Sequence, residues 1–246
     1  MKAMIFAAGL GTRLYPITEN LPKALVSVGN KPLLEHTILK LKKSGFDEII
    51  INVHHFADQI IRFLKEKNNF DIRIEISDER EQLLDTGGGI KKVADFFNDN
   101  KPFLIHNVDI LSNVNLNDVY IDHLQDTKRL TTLVVSYRDT YRYLLFDEQK
   151  RLRGWINTRT NQTKPTLNLD FSDCEKFAYA GIQVVSPKIF QLMESENDVF
   201  PVMDFYLQRC VSERIIGFVP KSLNILDVGK IGSLEKAETF LTHSSE

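Results

Sequence analysis

Lys2-Ala3-Met4-Ile5-Phe6-Ala7-Ala8-Gly9-Leu10-Gly11-Thr12-Arg13 opens the chain on a short apolar run that breaks into a glycine-bearing loop and ends on a cation. Further along stands Leu21-Pro22-Lys23-Ala24-Leu25. The apolar run reads as a strand. Two glycines where such a strand ends let backbone N–H groups approach a polyphosphate closely, and Arg13 and Lys23 would then offset its charge. A Walker loop would need Gly-Lys-Ser/Thr, which is absent, and a dinucleotide fingerprint would need a small residue where Leu14 stands. Gly9 and Gly11 alone fit an ordinary strand-to-helix turn equally well. Their combination with Arg13 and Pro22-Lys23 favours a phosphate loop.

Working outward, the first ~110 residues alternate two periods. Strands are expected at Lys2 to Ala7, Glu48 to Val53, Ile72 to Ile76 and Phe103 to Asn107, runs of β-branched and aromatic residues suited to burial on both faces. Leu34, Ile38 and Leu41, closed by Gly45, form a helical stripe, and Phe56, Ile60, Phe63 and Leu64 form a second. This rhythm predicts an α/β fold with a Rossmann-like mixed, mostly parallel sheet flanked by helices. Ligands on such sheets bind beyond the carboxyl ends of the strands, which directs attention to the loops after Ala7 and Asn107.

The second half keeps strands at Leu133 to Tyr137, Tyr143 to Phe146, Arg151 to Ile156 and Tyr179 to Val185 but loses the alternation, so part of the sheet is expected to be antiparallel. Ser186-Pro187 reads as a helix start with a capping hydroxyl. A last helix is expected from Ile231 to Leu241, a loop at Thr158 to Lys164 and a frayed tail at His243 to Glu246. No internal repeat or linker forces a boundary. The expectation is one domain over 1–246, with 1–110 the nucleotide half and 111–246 the sugar-phosphate half.

The 246 residues carry 31 Lys plus Arg against 33 Asp plus Glu, a formal charge of −2, so no global basic field exists for gripping nucleic acid. Any anionic ligand must be met locally. Cys174 and Cys210 are too few for a disulfide framework or zinc cluster, which points to a reducing compartment and, with no secretory leader or 18-residue apolar run, to a cytoplasmic protein without a membrane partner.

Phe103-Leu104-Ile105-His106-Asn107-Val108-Asp109 is an apolar strand leading to a carboxylate, and Asp227 follows Ile225-Leu226 and precedes Val228-Gly229. A hard carboxylate at a sheet edge suits Mg²⁺, which is usually bound through one or two carboxylates plus substrate phosphates. The alternative is that each aspartate caps a turn. No Ser-His-Asp or Cys-His arrangement stands out, and His54, His55, His106 and Cys174 read as loop or partly buried residues.

The opening loop, with Ala-Ala-Gly, Gly-Thr-Arg and then Pro-Lys, resembles that of the sugar-1-phosphate nucleotidyltransferases. The likeness extends through Gly29-Asn30-Lys31-Pro32-Leu33-Leu34-Glu35 and Asp85-Thr86-Gly87-Gly88-Gly89-Ile90 to Asp227-Val228-Gly229. The resemblance implies an Mg²⁺-dependent reaction of an NTP with a sugar 1-phosphate, giving an NDP-sugar and pyrophosphate. By position it implies that Gly11, Thr12, Arg13 and Lys23 hold the triphosphate, that a turn at Thr86, Gly87 and Gly88 approaches the base, and that Ala8, Gly9, Glu79 and Asn107 also bind the nucleotide. Arg13, Lys23 and Asp109 would act in catalysis, with Asp109 and Asp227 as metal ligands. Tyr179-Ala180-Gly181-Ile182 matches the segment where a glycine faces the sugar, and Asn157 and Glu175 would bond sugar hydroxyls or an acyl amino group. Those two read equally well as solvent-facing polar residues.

Two departures stand out. Val108 occupies a place where the family usually has glycine, and Gly154-Trp155-Ile156-Asn157-Thr158 lacks the Glu-Lys-Pro of many relatives, so roles tied to that motif do not transfer. The pattern looks most like N-acetylmuramate 1-phosphate uridylyltransferases and mannose-1-phosphate guanylyltransferases, with UTP and an N-acetylated sugar 1-phosphate leading. A phosphocholine cytidylyltransferase and a non-catalytic NDP-sugar-binding regulatory subunit are the alternatives. The length leaves no room for an appended β-helix, so a single catalytic core is expected, monomeric or homodimeric.

Overall fold

A computed structural model describes residues 1–165 and 171–243, the side chains of 242 and 243 excepted. The expected tail at 244–246 lies outside the described residues. The chain begins with β1 (Lys2–Phe6), the short strands β2 (Ser27–Val28) and β3 (Lys31–Pro32), α1 (Leu33–Lys43), β4 (Glu48–Val53), α2 (Ala57–Glu66) and β5 (Arg73–Asp78). It continues through α3 (Asp85–Lys92), β6 (Phe103–Asn107), β7 (Ile110–Ser112), α4 (Leu116–Leu124) and β8 (Arg129–Ser136). Then come β9 (Arg142–Phe146), β10 (Leu152–Asn157), β11 (Gln162–Lys164), β12 (Glu175–Val185), α5 (Lys188–Met193), α6 (Val202–Arg209), β13 (Arg214–Phe218), β14 (Ile225–Asp227) and α7 (Ile231–His243). The result is the expected α/β class, a mixed sheet with flanking helices.

The residues group into two compact units. The first comprises Met1–Leu84, Ile105–Leu116 and Leu223–Glu246, the second Asp85–Leu104 and Asn117–Ser222. In the first unit β1, β4 and β5 pair in parallel, with β6 on the other side of β1. Met4, Ile5, Ile49 and Ile51 of these strands are buried together with Leu34, Ile38 and Leu41 of α1 and Ile60 of α2, the apolar stripes read from the sequence. β7 and β14 form a separate antiparallel ribbon in the same unit.

In the second unit β12 pairs antiparallel with β8 and β9, β9 with β10 and β10 with β11, while β13 runs parallel to β8. Its core includes the stacked rings of Phe97, Phe103 and Phe190, with centroids 3.8 Å apart in the first pair and 5.5 Å in the second. Register shifts between Tyr179 and Gln183 where β12 meets β8, and Gly181 within that bulge has φ 73°. Glycine takes this conformation without steric penalty.

Several expectations need correction. Thr158 to Lys164 is not wholly a loop: Gln162–Lys164 pairs with Trp155–Asn157, a polar strand without the apolar alternation by which strands are read. β8 begins at Arg129, four residues before the expected start, because the buried Thr131 and Thr132 carry the strand through polar letters. The Ser186 hydroxyl does not cap α5; it donates to the Arg129 carbonyl at 2.6 Å. Asp85 to Gly89 is the start of helix α3 rather than a turn.

Candidate active site

The loop leaving β1 turns at Gly11, whose φ of 68° lies in the left-handed region, into a short 3₁₀ turn over Thr12–Leu14. Thr18 Oγ1 donates to the Gly11 carbonyl at 2.9 Å. A Cβ at Gly11 would stand 3.1 Å from the Cβ of Lys23, so glycine there lets the two halves of the phosphate-loop pattern pack together. Arg13 and Thr12 are exposed, as are Gly9 and Leu10. A side chain at Gly9 would meet nothing within 4 Å.

Lys23 reaches Asp109 in an ion pair in which the two side chains are only 11% and 16% exposed. Asp109 lies between β6 and β7, and its carbonyl accepts the Val228 N–H at 2.8 Å. The β7–β14 ribbon sets Asp227 opposite Ile110, the residue after Asp109. Two aspartates remote in sequence thus become neighbours. Asp227 Oδ1 is buried and has no hydrogen-bond partner among the described residues. Gly229 is required beside it: a Cβ there would fall 2.6 Å from that same oxygen and 2.9 Å from a terminal guanidinium nitrogen of Arg13. Arg13, Lys23, Asp109 and Asp227 therefore gather at one edge of the first unit, two cations interleaved with two carboxylates. The bare Asp227 oxygen and the hard-donor character of both aspartates fit a divalent cation.

Lys40, which sequence reasoning missed, anchors this ribbon: its Nζ donates to the Ser112 carbonyl at 2.5 Å and contacts Ser112 Oγ at 3.3 Å. Burial, with Lys43 adding repulsion, lowers its pKa to about 8. A lysine on a helix that reads as solvated gives no sequence signal for such a role. His106 is fully buried on β6; burial first, then the Lys40 charge, lowers its pKa to about 4, so the ring is neutral. Asn107 ends β6, where its carbonyl meets His106 Nδ1 at 2.8 Å.

Asn52 was also missed. At the carboxyl end of β4 its Oδ1 accepts N–H groups from Ala7 and Ala8 at 2.8 and 3.3 Å, and its Nδ2 donates to Glu79 Oε1 at 2.8 Å. The signal was available, a polar letter in the apolar run Glu48-Ile49-Ile50-Ile51-Asn52-Val53.

In the second unit the Gly87 N–H donates to the Phe200 carbonyl at 2.8 Å, and Thr86 Oγ1 accepts the Val202 N–H at 2.9 Å. A Cβ on Gly87 would lie 2.3 Å from the Phe200 ring. The fold alone thus accounts for that glycine. The three sugar candidates are not brought together. On β9, Asn157 faces Arg142 while Glu175 faces Phe146, four residues and about 13 Å along the strand. Asn157 Oδ1 accepts the Arg159 N–H at 3.0 Å, and Glu175, exposed, bonds Lys150 Nζ at 2.9 Å and the Tyr137 hydroxyl at 3.2 Å. Lys150 above all, and then Tyr137, hold the Glu175 carboxyl below its usual pKa.

His123 and Ser186 are 3.0 Å apart, with Thr132 Oγ1 at 3.0 Å on the other ring nitrogen. The serine proton goes to a carbonyl, and Thr132 rather than a carboxylate meets the other ring nitrogen among the described residues, so this is a buried clasp and not a nucleophile with its base.

A glycine-bearing loop at the carboxyl end of the first parallel strand, with two cations and two carboxylates converging beside it, has the chemistry that nucleotide phosphates require. The nucleotidyl transferase family model matches residues 2–244. The chain belongs to that family, the sugar-1-phosphate nucleotidyltransferases, which are enzymes. Among its relatives, the N-acetylmuramate alpha-1-phosphate uridylyltransferase of Caulobacter vibrioides is 29% identical over 90% of this chain and 89% of that protein. The mannose-1-phosphate guanyltransferase beta-B of Xenopus laevis is 28% identical over 82% of this chain, which spans only 56% of that protein. Two solved structures share the fold. They are HddC from Yersinia pseudotuberculosis complexed with GMP-PN, with TM-score 0.77, 22% identity and coverage of 98% and 99%, and a putative glucose-1-phosphate thymidylyltransferase from Bacillus anthracis complexed with sucrose, with TM-score 0.80, 19% identity and coverage of 98% and 94%. Family membership supports nucleotidyl transfer to a sugar 1-phosphate as this chain's activity. No helix among the described residues is long and apolar enough to cross a membrane.

Proposed function

We propose that the protein transfers a uridylyl group from UTP to an N-acetylated sugar 1-phosphate with Mg²⁺ held by Asp109 and Asp227. The observation that carries the metal assignment is the buried Asp227 Oδ1, without a hydrogen-bond partner among the described residues, next in sequence to the Val228 N–H that bonds the Asp109 carbonyl. The uridylyltransferase relative, aligned over nearly the whole of both chains, supports the choice of base and sugar. Guanylyl transfer to mannose 1-phosphate is the second reading, supported by relatives of which this chain spans about half.

A sugar 1-phosphate has a second pKa near ~6, so at pH 7 its attacking oxygen is largely ionised and needs no general base. The task is to hold two anions in line at the α-phosphorus. Bound Mg²⁺ would supply charge neutralisation at the phosphate oxygens. Lys23 would exchange Asp109 for the triphosphate when nucleotide enters, which frees Asp109 for the metal. With Arg13 it would stabilise the departing pyrophosphate, while Gly9, Gly11 and Thr12 offer backbone N–H groups to the phosphates. Asn107 would contribute to the nucleotide site of the first unit. Gly181, Asn157 and Glu175 are the sugar-side candidates, Gly181 the best supported, by the family segment it lies in. A chain with only two cysteines suits a cytoplasmic location.

Pyrophosphate release measured for each of the four NTPs against a panel of sugar 1-phosphates, with Mg²⁺ and with chelator, tests the reading. UTP with an N-acetylated sugar should dominate and chelation should abolish release. A preference for GTP with mannose 1-phosphate would move the assignment to the second reading, and full activity in chelator would remove the metal.

A further inference from the structure

Ala7 and Ala8 leave the strand ladder at the end of β1 while still buried, so their N–H groups need acceptors that a loop cannot supply for itself. Asn52 Oδ1 accepts both. Glu79, 1% exposed at the end of β5, takes the Asn52 amide on Oε1 and the Leu84 N–H on Oε2 at 3.2 Å, and its carbonyl meets His54 Nδ1 at 2.7 Å. The polarity of this chain is fully determined. Two N–H donors at one end require the amide oxygen there, which turns the NH₂ toward the carboxylate, and the carboxylate alone can accept from both Asn52 and Leu84.

We propose that Asn52 and Glu79 are positioning residues that shape the nucleotide loop: through buried hydrogen bonds they fix the Ala7 and Ala8 peptides that lead into Gly9, and they hold the chain at Leu84 ahead of the glycine-rich helix. Glu79 thereby serves nucleotide binding indirectly, its two oxygens both used inside the protein. The inference rests on the reading of the Gly9–Arg13 loop as the nucleotide site. Displacement of such a loop by about 1 Å is enough to cost a large factor in binding or rate.

The test exploits the polarity. Asn52→Asp sets a second carboxylate oxygen against Glu79, and Glu79→Gln offers one acceptor where two are needed. Asn52→Asp with Glu79→Gln restores every bond with the formal charge unchanged: the new carboxylate accepts from Ala7, Ala8 and the glutamine amide, and the glutamine oxygen accepts from Leu84. Binding of Mg-UTP and of the other three Mg-NTPs by calorimetry, beside thermal midpoints, is measured for all four proteins. Each single variant should weaken binding by about tenfold or more, and the double variant should recover to within a few fold of the parent. Recovery by the double variant supports the proposal even if both single variants fail to fold. Folded single variants with parental affinity, or a double variant no better than the worse single, would overturn it. A parent that binds no NTP would instead refute the nucleotide-site reading beneath it.

Discussion

The phosphate edge of the first unit and the strand array of the second differ in how their candidate residues are held. In the first, Lys23 is fixed by Asp109, Asp227 by the ribbon onto β7, and Ala7 and Ala8 by Asn52, partners far away in sequence. In the strand array Asn157 bonds a residue two positions on, Glu175 shares exposed bonds with Lys150 and Tyr137, and the two stand at opposite ends of β9. Convergence of remote polar groups on one edge is what chemistry requires, and exposed pairing is what a solvated surface produces anyway.

The sharpest way to break this contrast is at the two aspartates. Asp227→Asn should reduce turnover by at least about a hundredfold while leaving the thermal midpoint near the parent value, because the Asp227 Oδ1 has no hydrogen-bond partner among the described residues that the change would cost. Asp109→Asn should reduce turnover as far and in addition cost a few kcal/mol, since it strands the little-exposed Lys23. Equal stability of the two variants would mean that the Lys23 pair is not a structural tie.

Next come the glycines. Gly229→Ala drives a methyl group against Asp227 and Arg13 and should lower kcat/KM by about tenfold or more. Gly9→Ala meets no neighbour, so its stability should be unchanged and any rise in the KM for NTP reports ligand contact directly. A stable Gly9→Ala enzyme with parental KM would remove Gly9 from the nucleotide site.

The buried histidines give a pH signature that is structural and not catalytic. Burial lowers His106 and His123 to about 4, below the unfolded value of about 6.5, so the unfolded chain takes up protons first as pH falls. Stability they lend is present above about pH 6.5 and is lost on descent toward pH 4, with about 2 kcal/mol forfeited per ring by pH 5. Urea unfolding at pH 7 and pH 5 measures it, and His123→Gln should flatten the slope. The smallest effect is expected at the second unit's surface, where Glu175→Ala should change stability by under about 1 kcal/mol. A large rise in sugar-phosphate KM in that variant would place the sugar site at Glu175 and erase the contrast between the two regions.

Legibility followed the same division. The strands β1, β4 and β6 and helices α1 and α2 were readable because buried parallel strands and amphipathic helices write periodic apolar patterns. β11, β7 and β14 were not, being short or polar and held by pairing rather than by burial of a stripe. The glycine run at Asp85 to Gly89 suggested a turn. Its helical form depends on Phe200 and Val202, which supply a ring and backbone partners from far along the chain.

By itself the sequence determined the α/β class, the strand-end glycine loop and the chemical types of Arg13, Lys23, Asp109 and Asp227, because local patterning and side-chain chemistry are properties of the letters. Only the tertiary structure decided that Asp227 lies beside Asp109, that Lys23 pairs with Asp109, and that Asn52 links the Ala7 and Ala8 peptides to Glu79. Those are hydrogen bonds and ion pairs between segments distant along the chain, and nothing local in the sequence specifies which buried donor meets which acceptor.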